Sequence, residues 1–348
     1  YFCSDLLRKF SHIYIQMSKL VLFCSFLLIL LSSCNDKLDL LGPRTEKALV
    51  YGAIDKSQDF QFIRLERMFA DPDITPIKLA QDPANLYFTS AKVTLSSGNW
   101  SDTLTRIDAT TLGFPRQEGI FANTPNYIYY IPTIKVPMTP GSVYNLKIEA
   151  GDSVFTSSTT LIEGVQVFTP DLTRPLSIIP SISSINPTFY LEPISTNAKA
   201  IPQLVTIVLT LNYQEKDPAN GNDYVNKTYD FIMAKNQSLV GNEIAYNPSD
   251  FYQALKDDLP QKTGVIRIAK SFTITVIGGG KEFVDYNATI SANAGITSTS
   301  DYPTFSNIKN GLGIFTSRSV QKFPDLGLSI NTLDSLAKSR FTKDLGFK

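Results

Sequence analysis

Along most of the chain, apolar and polar residues alternate with a period of two, in short runs broken by Gly, Pro, Asn and Asp. Successive side chains of a strand point to opposite faces, so this alternation predicts half-buried β-strands. The first half carries such runs at residues 48–54, 60–68, 91–96, 102–108, 127–131, 143–149 and 154–161. Short strands at that spacing suggest a sandwich. Between the second and third runs, Phe69 to Tyr87 contains Pro72, Pro76 and Pro83 and reads as a long connection covering one edge of the sheet.

In the second half, Val205, Ile207, Leu209, Leu211 and Tyr213 alternate with Thr206, Val208, Thr210 and Asn212, the mark of a strand with one buried and one partly covered face. Further strands are expected at 228–234, 265–277 and 282–292. The last two flank Gly278-Gly279-Gly280 and read as a hairpin. Helical spacing is rare. Residues 248–255 fit a short helix, and Leu333, Leu336, Ala337, Phe341 and Leu345 predict a C-terminal one, capped by Asn331 or Thr332 and stopped by Gly346. The expected fold is all-β: two immunoglobulin/fibronectin-III-like β-sandwich domains, at 47–163 and 203–348, joined by a Pro-rich connection at 164–202 and ending in a short helix.

The N-terminal region has a different pattern. Residues 1–16 show no period and read as upstream read-through before Met17. From there Lys19, an uncharged apolar run Leu20 to Leu31 and small residues before Cys34 have the layout of an export signal. A run that short does not reach the roughly 20 residues a membrane-crossing helix needs. Leu31-Ser32-Ser33-Cys34 resembles the lipobox of bacterial lipoproteins. That likeness implies a signal peptide ending at residue 33, acylation of the Cys34 thiol, and a lipidated tether over 34–46. The partner expected there is membrane lipid.

Composition then narrows the chemistry. The chain has 32 basic and 32 acidic residues; three basic ones (Arg8, Lys9, Lys19) and one acidic one (Asp5) precede Cys34, leaving 29 against 31. Such a balance carries no nucleic-acid footprint. The one histidine, His12, lies before Cys34, and so do Cys3 and Cys24. The part from Cys34 onward therefore has no His and no thiol beyond the lipid site. That excludes Ser-His-Asp and Cys-His catalysis, the usual zinc sets and structural disulfides. Carboxylate-only chemistry and hard-cation binding by oxygen stay open.

Four local patterns bear on function. Gly278-Gly279-Gly280-Lys281 lacks the Ser or Thr and the following helix of a phosphate loop, and is expected to be a turn. Asp217-Pro218-Ala219-Asn220-Gly221-Asn222-Asp223 gathers oxygen ligands that suit calcium, in residue types that tight turns also require. Trp100, Tyr127, Tyr129 and Tyr130 offer aromatic faces for a sugar, at a strand spacing that favours core roles. In Pro140-Gly141-Ser142-Val143-Tyr144-Asn145-Leu146-Lys147-Ile148, Tyr144 reads as a corner tyrosine of the fibronectin III kind.

Taken with the leader, Leu49-Val50-Tyr51-Gly52-Ala53-Ile54-Asp55, Phe62-Ile63-Arg64-Leu65-Glu66-Arg67, the Pro140 to Ile148 segment and Ser306-Asn307-Ile308-Lys309-Asn310-Gly311-Leu312-Gly313-Ile314-Phe315 resemble the Bacteroidota lipoproteins grouped as domain of unknown function 4249. The long connection after Met68 departs from that pattern. The resemblance implies an outer-membrane, lipid-anchored protein, accessory to a TonB-dependent transporter or another envelope protein, and supplies no catalytic residues. The expected function is a non-catalytic binding or assembly module without a cofactor, with a glycan as candidate ligand. The alternative is a carboxylate-dependent glycan hydrolase or lyase.

Overall fold

In the computed structural model, residues 47–69, 74–180, 186–221, 223–239, 241–293 and 305–348 are described, side chains at 220 and 290–293 excepted. Cys34, the leader and the tether lie outside them. Strand accounts for 46% and helix for 18%, so the chain is built on sheet ladders with helices as coverings.

Each run of the first half forms a strand: β1 (Ala48–Ile54), β2 (Phe60–Arg67), β3 (Lys92–Ser97), β4 (Trp100–Asp108), β5 (Tyr127–Pro132), β6 (Val143–Ala150) and β7 (Ser153–Thr160). The connection after β2 holds two short helices, α1 (Pro76–Ala80) and α2 (Pro83–Leu86). Each opens on a proline, whose missing N–H is an orphan there anyway. The second half adds β8 (Val165–Thr169), β9 (Thr188–Pro193), β10 (Leu204–Lys216), β11 (Tyr224–Ser238), β12 (Glu243–Ala245), β13 (Ile266–Gly279) and β14 (Leu312–Leu326). Its helices are α3 (Pro248–Asp258), α4 (Lys281–Asn293) and α5 (Ile330–Lys338).

The large sheet has the order β11-β10-β13-β14-β1-β2-β5-β4-β3-β6-β7, and the small one β12-β9-β8. The long ladder turns over at β4, which pairs with β3 through Trp100 to Leu104 and with β5 through Thr105 to Asp108. One core therefore collects Val50, Ile63, Leu65 and Ile131 from one side of that turn and Val93, Leu95, Leu146, Ile148 and Phe155 from the other. A second core joins Ile207, Leu209, Leu211, Phe272 and Ile274 of the large sheet to Phe189, Leu191 and Ile244 of the small one, with Phe251, Tyr252 and Leu255 of α3.

Strand β14 serves both cores. Its first half lies parallel to β1, with Val50 opposite Gly313, and its second half lies antiparallel to β13, with Phe272 opposite Leu326. Two segments that carry the resemblance, around Val50 and around Gly313, are thus neighbours. The turn before β14 is fastened to β7: Lys309 N donates to Thr156 O (2.8 Å), and Asn310 Nδ2 to Val154 O (2.9 Å). Tyr144 is fully buried, its hydroxyl donating to Pro137 O and accepting from Thr139 N (3.0 Å).

Several expectations need correction. Residues 282–292 are helical, so Gly278 to Gly280 is no hairpin turn. The reason is edge occupancy: β10 takes one side of β13 and β14 the other, leaving no ladder for a hairpin partner. Side chains in α4 bond back to its own carbonyls, Asn287 Nδ2 to Phe283 O and Thr289 Oγ1 to Asp285 O, each at 2.9 Å. Residues 164–202 hold β8 and β9, which pair with each other through Val165 opposite Pro193. The C-terminal helix is capped by Ser329, which accepts from Thr332 N (3.2 Å), and ends at Lys338, well before Gly346. Beyond it, Phe347 bridges to Arg267 as sheet.

Candidate functional site

Alternation along β10 buries Val205, Ile207, Leu209, Leu211 and Tyr213 and turns Thr206, Thr210, Asn212 and Gln214 to the opposite, outer face. The register of the neighbouring strands decides what joins them. Asp230, Thr228 and Asn226 of β11 stand opposite Thr210, Asn212 and Gln214, while Thr273 and Ser271 of β13 stand opposite Thr210 and Asn212. The result is a row of hydroxyls, amides and one carboxylate across three strands. At the other end of this face, Asn236 Nδ2 donates to Asn287 of α4 (3.1 Å), so the helix covers that end.

The row is held in place by its own bonds. Thr210 Oγ1 donates to Asp230 Oδ1 (2.6 Å), Gln214 Nε2 to Asn226 Oδ1 (3.1 Å), and Asn212 Nδ2 to both Ser271 Oγ (3.1 Å) and Thr273 Oγ1 (3.2 Å). Asn212 Oδ1, Gln214 Oε1 and Asn226 Nδ2 take no part in these bonds. Beside them a recess of about 490 Å³ is lined by Asn212, Tyr213, Asn226, Lys227, Thr228 and Lys270. A bulge shapes its rim: Asn212 pairs with Ser271 and Tyr213 with Ala269, so Lys270 is the extra residue and its side chain is exposed. Tyr224 adds a half-exposed ring at the end of β11, with the Lys216 ammonium 5.7 Å from its centroid.

Under the recess lies a charge network. Glu215 accepts from Arg267 Nε (2.8 Å) and from Lys227. Burial opposes ionisation of Glu215, but Lys227 and Arg267 outweigh it and hold its carboxyl below the usual range. Asp217 is likewise lowered, by Lys262 (2.8 Å) and by the Ala219 N–H. Arg267, fully buried, also donates to Leu345 O and Pro260 O, so it ties the C-terminal residues to β13.

The residues singled out in the sequence fare differently. Cys34 lies outside the described residues. In the Asp217 to Asp223 loop, Asp217 is taken up by Lys262 and by capping a short turn, and residue 222 is not described. Among the described residues, no three Asp, Glu, His or Cys side chains converge as a metal site would. Tyr129 is core, Tyr127 packs edge-on against Tyr87 under Arg106, Tyr130 packs edge-on against Phe60, and Trp100 packs against the first core. Gly280 leads into α4, whose Glu282 accepts from Thr159 (2.9 Å) and Thr316 (3.1 Å). The buried carboxylates Asp55 and Glu66 have cationic partners too, Arg318 for the first and Arg64 and Arg116 for the second. The row around Asn212 was visible in sequence only as the polar half of the β10 alternation; its partners on β11 and β13 carry no local signal.

No helix among the described residues is long and apolar enough to cross a membrane. No family model matches the chain, and no curated protein matches it.

Proposed function

We propose that this chain is a membrane-anchored, non-catalytic binding module of the bacterial envelope, and that the outer face of β11, β10 and β13 receives its ligand. The observation that carries the reading is the row of amides and hydroxyls at Thr210, Asn212, Gln214, Asn226 and Thr228 beside the recess. Sugar hydroxyls donate and accept at once, so a surface offering both in register suits a glycan. Each such bond contributes only about 0.5–1.5 kcal/mol net, which is why a row is needed. The anchor rests on the lipobox likeness at Cys34, and the outer membrane and the transporter partner on the resemblance of the strand segments. We further propose that the two cores belong to two β-sandwiches of the immunoglobulin/fibronectin III kind, a reading supported by the corner role of Tyr144 and by the turn of the ladder at β4.

Binding is favoured over turnover by how the acidic residues are used: Asp55, Glu66, Glu215 and Asp217 each face a cation. Screening the purified protein on a panel of immobilised glycans is expected to find a ligand. Asn212→Ala combined with Asn226→Ala is expected to weaken it roughly tenfold to a hundredfold, for two lost hydrogen bonds. Unchanged affinity in that double variant would remove the assignment of this face. Turnover of a polysaccharide that stops on changing one acidic residue would instead support a carboxylate-dependent glycan hydrolase or lyase. For the transporter, recovery of the lipoprotein alone from native membranes in mild detergent would count against the partnership.

A further inference from the structure

One end of the first core carries a group of exposed apolar side chains. At the end where β1 begins and β2 stops, Met68 N donates to Lys47 O (2.9 Å), and Arg67 reaches the carbonyls of Ala84 and Asn85 at the end of α2. Ala122 N donates to Ala80 O (2.9 Å), Tyr87 Oη to Pro125 O (2.9 Å), and Asn126 Nδ2 to Phe114 O (2.9 Å). These bonds gather the β2–β3 and β4–β5 connections over the same end as Lys47. From that cap Ile77, Phe114 and Ile120 stand out with 56%, 65% and 54% of their surface exposed, and Ile74 and Leu112 are exposed beside them. Phe114 and Ile120 belong to a connection whose backbone is fastened to the fold, so they are held outward and not merely uncovered in a strand.

We propose that this end seats on the lipid surface that carries the acyl chains of Cys34, with Ile77, Phe114 and Ile120 entering the interfacial layer. The inference rests on the anchoring reading above and adds an orientation to it. Thirteen residues, 34–46, separate the lipid site from Lys47. Even drawn out at about 3.3–3.6 Å per residue they span no more than about 47 Å, and they enter the fold at the apolar end. Strand β14 sets the distance to the other end: it starts at Leu312, beside Leu49, and reaches Leu326, beside Phe272 and the recess. At about 3.3 Å per residue its length puts the glycan-facing row roughly 45 Å along the strand from the anchored end. Apolar groups at an interface add to acyl chains as a second membrane contact. The bilayer and the ligand would then meet opposite ends of the protein.

The test uses the full lipidated chain in phosphatidylethanolamine and phosphatidylglycerol vesicles whose acyl chains are brominated, a quencher of indole fluorescence. Trp100 supplies the same baseline throughout. With Phe114→Trp, and separately Ile77→Trp, the added fluorescence is expected to fall at least about twofold relative to unbrominated vesicles, and with Tyr224→Trp at the recess end to stay unchanged. An unquenched Phe114→Trp and Ile77→Trp in protein whose Cys34 is acylated by mass spectrometry would overturn the seating alone. An unacylated Cys34 with no flotation on vesicles would overturn the anchoring reading, and the seating with it. Equal quenching of all three probes would overturn the orientation.

Discussion

Gly313→Ala is expected to lower stability by roughly 3–5 kcal/mol, the size reserved for substitutions that break backbone packing. Gly313 has φ +113°, a conformation that costs other residues about 1–3 kcal/mol. The contact is worse than the strain. A Cβ there would sit 1.9 Å from the carbonyl oxygen of Val50, on the parallel partner strand. Neither backbone can yield, because β1 is paired on its other side with β2 and β14 continues into the ladder with β13. Since β14 also serves both cores, the substitution should separate their unfolding, giving two thermal transitions or one broadened one. Gly98→Ala is the control: it has φ +56° but nothing within 4 Å of its Cβ, so it should cost only the strain of the left-handed region, about 1–2 kcal/mol. Calorimetry showing equal losses for the two would refute the account of close approach between β1 and β14.

Arg267→Met should cost about 3 kcal/mol or more, the usual penalty for removing one partner of a buried pair. Glu215 would keep Lys227 but lose its buried cation, and the carbonyls of Leu345 and Pro260 would lose their donor. Adding Glu215→Leu should restore part of the loss, because an apolar pair needs no desolvation compensation. The pH dependence gives a second reading. The folded-state pKa of Glu215 is depressed below its ordinary 4.5, so the stability it contributes is fully present above that value and is lost as pH falls through the folded value. Asp217, also depressed, adds to the same acidic slope below its ordinary 3.8. Urea melts between pH 7 and pH 3 should therefore show a steep acid loss in the wild type and a shallower one in the double variant. Parallel slopes would mean that this network does not govern the acid limb.

Much of the first half is legible from alternation because each of its strands buries one face against a core and is fastened by local turns. The run Val143 to Glu149 is an example: Tyr144, Leu146 and Ile148 go inward as their spacing demands. In the second half the same rule misreads 282–292. Phe283, Val284 and Ile290 have strand-like residue types, yet both edges of β13 were already occupied, and a helix lets a segment without a free ladder edge satisfy its backbone bonds within itself. β14 escaped for the opposite reason. Its 15 residues change partners midway and are buried on both faces over Gly313 to Ser317, so no single period marks them.

For the candidate binding face, alternation determined that Thr206, Thr210 and Asn212 share one side of β10, and the absence of His and of free Cys after Cys34 determined which chemistries were excluded. Whether that polar side meets water, a helix or a ligand depended on which strands lie beside it and in what register. A slip of one residue in β11 would have turned Asn226, Thr228 and Asp230 to the core. The order of strands, the bulge at Lys270, the covering of one end by α4 and the gathering of Ile77, Phe114 and Ile120 at the Lys47 end were decided only by the tertiary structure. Periodicity records how a segment divides its own side chains between two faces; it holds no information on what residues a hundred positions away will be placed against them.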